Sequence, residues 1–451
     1  MRKVLIIGSG KSSSYLIKYL LDKSKKESLF ITIADKDITN AKILLNNQSS
    51  SKAVELDVFD DDSREKEIII NSDIVISMLP ASFHIMIAKD CINHSKNMLT
   101  ASYISDEMLA LNEQAVSKGI VIMNEIGLDP GIDHMSAMKV IDQIKEKGGK
   151  VILFESFTGG LIAPESDNNL WNYKFTWNPR NVVLAGQGSP AKFIQEGSYK
   201  YIPYSKLFRR TEELKIENHG SFEAYANRDS LKYREIYGLK DIKTLYRGTI
   251  RKVGFSEAWD VFVQLGITDD SYTIEKSENM KFSEFINLFL PYHPTDSIEL
   301  KLSQLLKISQ NDLIWDKLLE LDIFSTQKTI TLKNASPAQI LEFILSESWS
   351  LEVNDKDMIV MCHKFGYELN NKKYQIESNM ICTGKDQTYT AMAKTVGLPL
   401  AIATVAILNS EIKAVGVQLP INKNIYNPIL KELQDYGIEF KEHEVPYQGY
   451  N

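Results

Sequence analysis

From residue 3 to about 125 the chain alternates short apolar runs with helical patterns, and no other feature narrows the possible folds as much. Apolar runs fall at 4–7, 29–34, 53–56, 73–78, 97–100 and 120–123, with helical stretches at 12–22, 38–47, 63–70, 84–94 and 106–118 between them. Strands that are joined through helices return in the same direction, so the pattern predicts a parallel, doubly wound α/β sheet. Ligands of such sheets lie beyond the carboxyl ends of the strands, which makes the residues ending each run the first candidates for function.

The first run, Val4-Leu5-Ile6-Ile7, ends in Gly8-Ser9-Gly10-Lys11-Ser12-Ser13. Two glycines of the dinucleotide fingerprint are present, and Ser13 stands where the third, helix-packing glycine usually sits. Free amides at the start of the following helix can bind a pyrophosphate through hydrogen bonds and the helix dipole; a plain tight turn is the alternative. The second run ends on Asp35, where a carboxylate can accept hydrogen bonds from adenosine ribose hydroxyls or cap the next turn. Asp35 favours NAD because its charge repels a 2'-phosphate, while Lys36 and Lys11 leave NADP open. The fourth run stops at Leu79-Pro80, a candidate backbone contact for the cofactor.

Two further strand ends carry polar groups. Thr100-Ala101-Ser102-Tyr103 offers hydroxyls to a substrate carboxylate, although Ser102 could cap a helix and Tyr103 could pack. Residues 124–134, Asn-Glu-Ile-Gly-Leu-Asp-Pro-Gly-Ile-Asp-His, put three acids and a Pro-Gly turn directly after the apolar run at 120–123. Asp129 can turn toward the cleft and meet a substrate ammonium. Asp133 can equally serve as a helix-start acid, and His134 as a general base or a structural group. Further on, Arg228, Arg247 and Arg251 sit in strand-like aromatic stretches, and arginine is the side chain that grips a carboxylate bidentately.

At 451 residues, 43% of them apolar, the chain exceeds one ordinary core. A helix is predicted at 135–147 and a strand at 150–157. Antiparallel strands follow between about 205 and 255, then a leucine-rich helical insertion at 257–350, a strand at 357–364 and a long helix at 389–408. The expected domains are 1–128, with about 390–451 packing back on it; 129–256 with 351–389; and 257–350. A net charge of -7 argues against nucleic acid or an anionic membrane as the main partner. The apolar run at 396–408 holds Gly397 and Pro399 and falls short of the ~20 residues that a bilayer requires. Cys91, Cys362 and Cys382 form neither a zinc pattern nor a disulfide framework, so no metal is expected, and a reducing cytoplasm without export is.

Taken together, these segments resemble the glutamate-forming saccharopine dehydrogenases over nearly the whole length. The resemblance is carried by Gly8-Ser9-Gly10, residues 74–80, residues 100–104 and residues 124–134. It continues in Gly159-Gly160-Leu161-Ile162-Ala163-Pro164-Glu165, residues 173–179, Asn227-Arg228-Asp229-Ser230, Arg247-Gly248-Thr249-Ile250-Arg251 and residues 390–399. It implies a Rossmann domain, a second α/β domain that binds substrate and pairs subunits into a homodimer, and a helical domain inserted in it. It also implies saccharopine contacts at Ser102, Tyr103, Asp129, Arg228, Thr249, Ile250 and Arg251. The implied cofactor contacts are Gly8, Ser9, Gly10, Lys11, Ser12, Asp35, Lys36, Leu79, Pro80, Asp129, Pro130 and Gly131.

The implied reaction oxidises saccharopine, with NAD or NADP, to L-glutamate and 2-aminoadipate 6-semialdehyde, or runs in reverse. Asp129 and Tyr103 are the candidates to orient the amine or relay protons. Two departures stand out: Thr158 replaces a cysteine common in the family, and Ala34-Asp35-Lys36 lacks the arginine with which some members hold a 2'-phosphate. A carboxynorspermidine or related polyamine dehydrogenase is the alternative within enzymes. A non-catalytic NAD-sensing protein is the alternative outside them.

Overall fold

The computed structural model describes residues 1–217 and 219–449, without the side chains of 65–67, and divides into two compact units. Unit 1 comprises Met1–Val151 and Tyr367–Val445. Its sheet contains β1 (Arg2–Ile7), β2 (Leu29–Asp35), β3 (Ser51–Glu55), β4 (Ile74–Ser77), β5 (Asn97–Leu99) and β6 (Val121–Met123). The order is β3-β2-β1-β4-β5-β6, closed by the late strand Gly416–Gln418, and every pairing is parallel. Strand order reverses between β1 and β4, so the crevice where an α/β sheet binds its ligand opens beyond Ile7 and Ser77.

Apolar side chains on both faces explain why these strands stay central: Val4, Ile6, Ile7, Val75 and Ile76 are wholly buried. The late helix Ala391–Leu408 belongs to this unit, and a Cβ on its Gly397 would lie 2.7 Å from the Leu16 backbone nitrogen in the helix Ser14–Lys23. Only a hydrogen at that position lets the two helices lie so close. Among the described residues this is the one helix long and apolar enough to cross a membrane, yet 78% of it is buried within the protein, as befits a core helix.

Several elements differ from expectation. Residues 106–118 form two short helices, Asp106–Leu109 and Asn112–Ser117, and 62–69 is a π-helical segment. The helix Ile132–Glu146 falls in unit 1 rather than beyond a boundary at 128. It packs on the helix Lys423–Asp435, with Tyr426 Oη donating to Asp142 Oδ2 at 2.8 Å. Residues 450 and 451 of the expected C-terminal segment lie outside the described residues.

Unit 2 comprises Ile152–Gly366 and Pro446–Asn451. Its strands are β7 (Lys150–Ile162), β8 (Ala191–Gln195), β9 (Ser198–Ile202), β10 (Thr211–Ile216), β11 (Gly220–Ala226), β12 (Thr244–Lys252) and β13 (Asp357–Leu369). They run in the order β10-β11-β12-β7-β13, with β8 and β9 branching from β12. β7 pairs with β12 in parallel, whereas β10, β11 and β12 are antiparallel. The helices between 255 and 349 share this unit's core instead of forming their own. Trp171, Tyr173, Phe175, Phe255, Trp259 and Trp349 stack into one aromatic cluster, and Trp171 Nε1 donates to the Lys317 carbonyl at 2.8 Å.

Candidate functional site

Gly8 has φ +103, and a Cβ there would sit 3.0 Å from the Met78 carbonyl oxygen, so the turn after β1 can lie against the end of β4 only as glycine. Beyond it, Ser9 donates both its amide, at 2.6 Å, and its hydroxyl, at 2.7 Å, to Asp35 Oδ2. Asn40 Nδ2 donates to the Ser9 carbonyl, and Ser13 Oγ to that of Gly10 at 2.7 Å. Nothing lies within 4 Å of a Cβ on Gly10, which leaves open space at the start of the helix Ser14–Lys23. Asp35 therefore pins the turn before it meets any ligand; its Oδ1 takes a long contact from the Asp37 amide, at 3.3 Å. Lys36 is exposed, 3.5 Å from Asp57 Oδ2, and Lys11 is exposed beside the turn.

Along the same edge, Leu79 is half-buried and Pro80 exposed. The residues after β5 and β6 are laced together. Glu125 N–H donates to the Ser102 carbonyl and Ile126 N–H to that of Thr100, both at 3.2 Å, and Ile104 N–H donates to Glu125 Oε1 at 2.9 Å. The other Glu125 oxygen lies 2.7 Å from His134 Nε2, with both side chains wholly buried. Asp133 Oδ1 accepts from the Gly131 amide at 2.6 Å. Glu125, Asp133 and His134 thus brace the loop from inside, and none of them faces solvent.

This bracing presents the remaining polar groups. Tyr103 Oη donates to Asp129 Oδ1 at 2.8 Å, and both residues, with Ser102, are half-buried. Asp129–Pro130 is a cis peptide, and Gly131 has φ +147 where a Cβ would overlap the Gly127 backbone. Ser102, Tyr103 and Asp129 therefore meet at the carboxyl edge of the sheet that carries the glycine turn.

In unit 2, Arg251 is buried near the end of β12, its guanidinium carbon 5.0 Å from the Tyr173 ring centre, 5.2 Å from that of Phe255 and 5.7 Å from that of Tyr225. Its Nη1 donates to the Ile250 carbonyl at 2.8 Å, but its Nε has no hydrogen-bond partner among the described residues. A buried guanidinium on aromatic faces with an unspent donor suits a carboxylate. Burial also pushes the Tyr173 phenol up from its ordinary range. Thr249 is half-buried opposite Thr158 on β7, and a Cβ on Gly159 would meet the Ile250 carbonyl at 2.5 Å. Arg228 is exposed, with φ +42, and Arg247 is buried under Tyr233, 4.4 Å from its ring. Clustering in sequence had grouped the three arginines; the structure separates an exposed Arg228 from a buried Arg247 and Arg251.

Sequence reasoning did not single out His84 or the bracing by Glu125. His84 Nδ1 lies 2.8 Å from Ser77 Oγ, and its Nε2 lies 2.7 Å from Ser102 Oγ and 3.1 Å from Thr100 Oγ1. Burial lowers its pKa to about 4. The one available signal was its place four residues after Pro80, at the first turn of a helix leaving the ligand edge.

Comparison with known proteins bears on the same segments. Residues 4–123 match the family model described as the saccharopine dehydrogenase NADP binding domain, and 127–438 the saccharopine dehydrogenase C-terminal domain. The chain is 35% identical to the saccharopine dehydrogenase [NADP(+), L-glutamate-forming] of Saccharomyces cerevisiae over 98% of its own length and 99% of the relative's. It is 34% identical to the Schizosaccharomyces pombe protein of the same description, with the same coverage. A solved structure of apo histidine-tagged saccharopine dehydrogenase (L-Glu forming) from Saccharomyces cerevisiae superposes with a TM-score of 0.88 at 34% identity, covering 99% of this chain and 100% of that one.

Proposed function

The chain belongs to the saccharopine dehydrogenase family, and on that premise we propose that it is an NADP(+)-linked oxidoreductase of lysine metabolism. It oxidises saccharopine, with water, to L-glutamate and 2-aminoadipate 6-semialdehyde, or runs the reverse condensation. The observation that carries the reading is the Tyr103–Asp129 hydrogen bond, 2.8 Å long, at the edge that also holds the glycine turn.

The turn fits a dinucleotide: the space at Gly10 is open, and the helix after it starts without a side-chain cap from Ser13. Gly8, Ser9, Gly10, Lys11 and Ser12 would hold the pyrophosphate. Asp35 and Lys36 would hold the adenosine ribose side, and Leu79, Pro80, Asp129, Pro130 and Gly131 the nicotinamide side. When bound, the nucleotide supplies the hydride acceptor. The family match favours NADP(+), and because Asp35 Oδ2 is already taken by Ser9, its charge opposes a 2'-phosphate less than a free carboxylate would. Asp35 keeps NAD as the weaker ligand.

The protein's own groups do the rest. Tyr103 Oη–H holds Asp129 Oδ1 and so orients the Asp129 carboxylate, the acceptor proposed to meet the secondary amine of the substrate. Ser102 donates to one substrate carboxylate. Within unit 2, Arg251, Arg228, Thr249 and the Ile250 backbone are the carboxylate contacts that the resemblance implies, and the Arg251 Nε, without a hydrogen-bond partner among the described residues, supports that role. The three cysteines, Cys91, Cys362 and Cys382, are all buried and accord with work in a reducing cytoplasm, and the resemblance supports a homodimer, which sedimentation equilibrium would establish or refute.

The test mixes the protein with saccharopine and either NADP(+) or NAD, following reduced nicotinamide by absorbance and L-glutamate by assay. Equimolar release of both, faster with NADP(+), is expected. Absence of glutamate in both mixtures would remove the saccharopine reading and send the search to polyamine substrates. Arg251→Met is expected to raise KM for saccharopine about 100-fold, the scale of a charge-assisted hydrogen bond lost from a buried site, while nucleotide binding stays unchanged.

A further inference from the structure

We propose that His84 is a positioning residue which fixes the Ser102 hydroxyl as a hydrogen-bond donor toward the substrate. The proposal rests on the reading of Ser102 as a carboxylate contact. His84 is 4% exposed and begins the helix His84–Asn93, directly beyond the Leu79-Pro80 corner and a single 3-10 turn at Ala81–Phe83. Both ring nitrogens are engaged, and all three recorded partners are hydroxyls: Ser77 at the end of β4, and Thr100 and Ser102 after β5. Burial and the positive end of the helix dipole both oppose an imidazolium, so the ring works neutral, with one N–H and one lone pair.

Which nitrogen carries the proton follows from the count of oxygens. Nε2 faces two of them, Ser102 Oγ at 2.7 Å and Thr100 Oγ1 at 3.1 Å, whereas Nδ1 faces only Ser77 Oγ at 2.8 Å. One N–H can be shared between two acceptors, but one in-plane lone pair cannot take two hydroxyl protons well. The proton therefore sits on Nε2, and Ser77 O–H donates to Nδ1. Thr100 Oγ1 also receives the Ser102 amide, at 3.3 Å, which holds the backbone of the same residue. With His84 donating to its oxygen, Ser102 must aim its own proton away from the ring. An acceptor-only ligand such as a carboxylate needs that polarity. Without the ring, the Ser102 hydroxyl would rotate freely and part of its population would point its lone pairs at the anion.

The test combines kinetics with ring spectroscopy on the full chain. His84→Ala and Ser102→Ala are each expected to lower kcat/KM for saccharopine about 10-fold or more, mainly through KM, with the nucleotide dissociation constant unchanged. The double variant is expected to be no worse than Ser102→Ala, because His84 acts through that hydroxyl. His84→Gln, whose amide can donate at the Nε2 position, is expected to recover part of the loss. Nitrogen-15 NMR of labelled histidine should show the Nε2–H tautomer at His84. Multiplying losses in the double variant, or an Nδ1–H tautomer, would overturn the proposal. So would an unimpaired His84→Ala beside a damaged Ser102→Ala. A wild-type-like Ser102→Ala would overturn the carboxylate reading of Ser102 and the proposal with it.

Discussion

A neutral histidine in the interior makes the fold sensitive to acid. The His84 pKa lies at about 4 in the folded protein, below the ~6.5 of an unfolded chain, so the unfolded state binds the proton first. Its contribution is complete above pH ~6.5 and declines as pH falls toward 4, reaching a loss of about 3 kcal/mol. Urea unfolding from pH 7 to 4.5 should show stability falling across that window, with a shallower fall in His84→Gln; equal slopes would remove His84 as the cause. Asp35 carries the second prediction at this scale. Asp35→Ala should weaken NAD more than NADP(+), shifting the ratio of dissociation constants by about 10-fold, or ~1.4 kcal/mol, as read by calorimetry. Asp35 was legible in the sequence because it ends an apolar run. Its contact with Ser9 was not, since that depends on β1 and β2 lying in parallel register, Ile7 beside Ala34. His84 was hidden for the same reason: its partners come from the ends of two other segments.

At the scale of elements, the loop at 124–134 is held by backbone proximity that side-chain patterning does not reveal. Gly127 N–H donates to the Pro130 carbonyl at 3.0 Å and Ile132 N–H to that of Gly127 at 2.9 Å, so residues 127 and 131 press together without side chains between them. Gly131→Ala adds a Cβ into the Gly127 backbone at φ +147. The loop must open to admit it, at a cost of about 3 kcal/mol or more, and Asp129 moves with it. A fall in melting temperature together with loss of saccharopine turnover is expected; a variant with native melting and native KM would refute the argument. Five of the six leading strands were legible because buried parallel strands are short apolar runs, and such runs stand out between helices; β3, none of whose residues is fully buried, was legible by its place in the alternation. The seventh, Gly416-Val417-Gln418, was not, because a lone valine between glycine and glutamine makes no apolar run and the strand is defined by its neighbour β6. Residues 106–118 read as one helix because the apolar spacing carries through the break between Leu109 and Asn112.

For the whole molecule, the chain leaves unit 1 at Val151 and returns to it at Tyr367, so the nucleotide-binding sheet is completed by residues far along the sequence. Gly416 N–H donates to the Ile120 carbonyl at 2.8 Å, and the helix Ala391–Leu408 rests on the helix that follows the glycine turn. A ligand that binds only the folded state stabilises it by about 2.7 kcal/mol at 100 times its dissociation constant, and that protection reaches the residues whose order the bound state requires. Saturating NADP(+) is therefore expected to slow amide hydrogen exchange in β1, in the helix Ser14–Lys23 and equally in 391–408 and 416–418. The effect on β10 and β11, which belong to unit 2, should be several-fold smaller. Peptide-resolved exchange with and without nucleotide reads this directly. Protection confined to the first 151 residues would mean that the late helix and strand are not part of the cooperative unit. Equal protection of β10 and β11 would mean that the two units respond to the nucleotide as one. The expected pattern makes the C-terminal segment part of the cofactor domain in energy as well as in space, and it predicts that truncation before Ala391 abolishes nucleotide binding although every nucleotide-contacting residue proposed above remains.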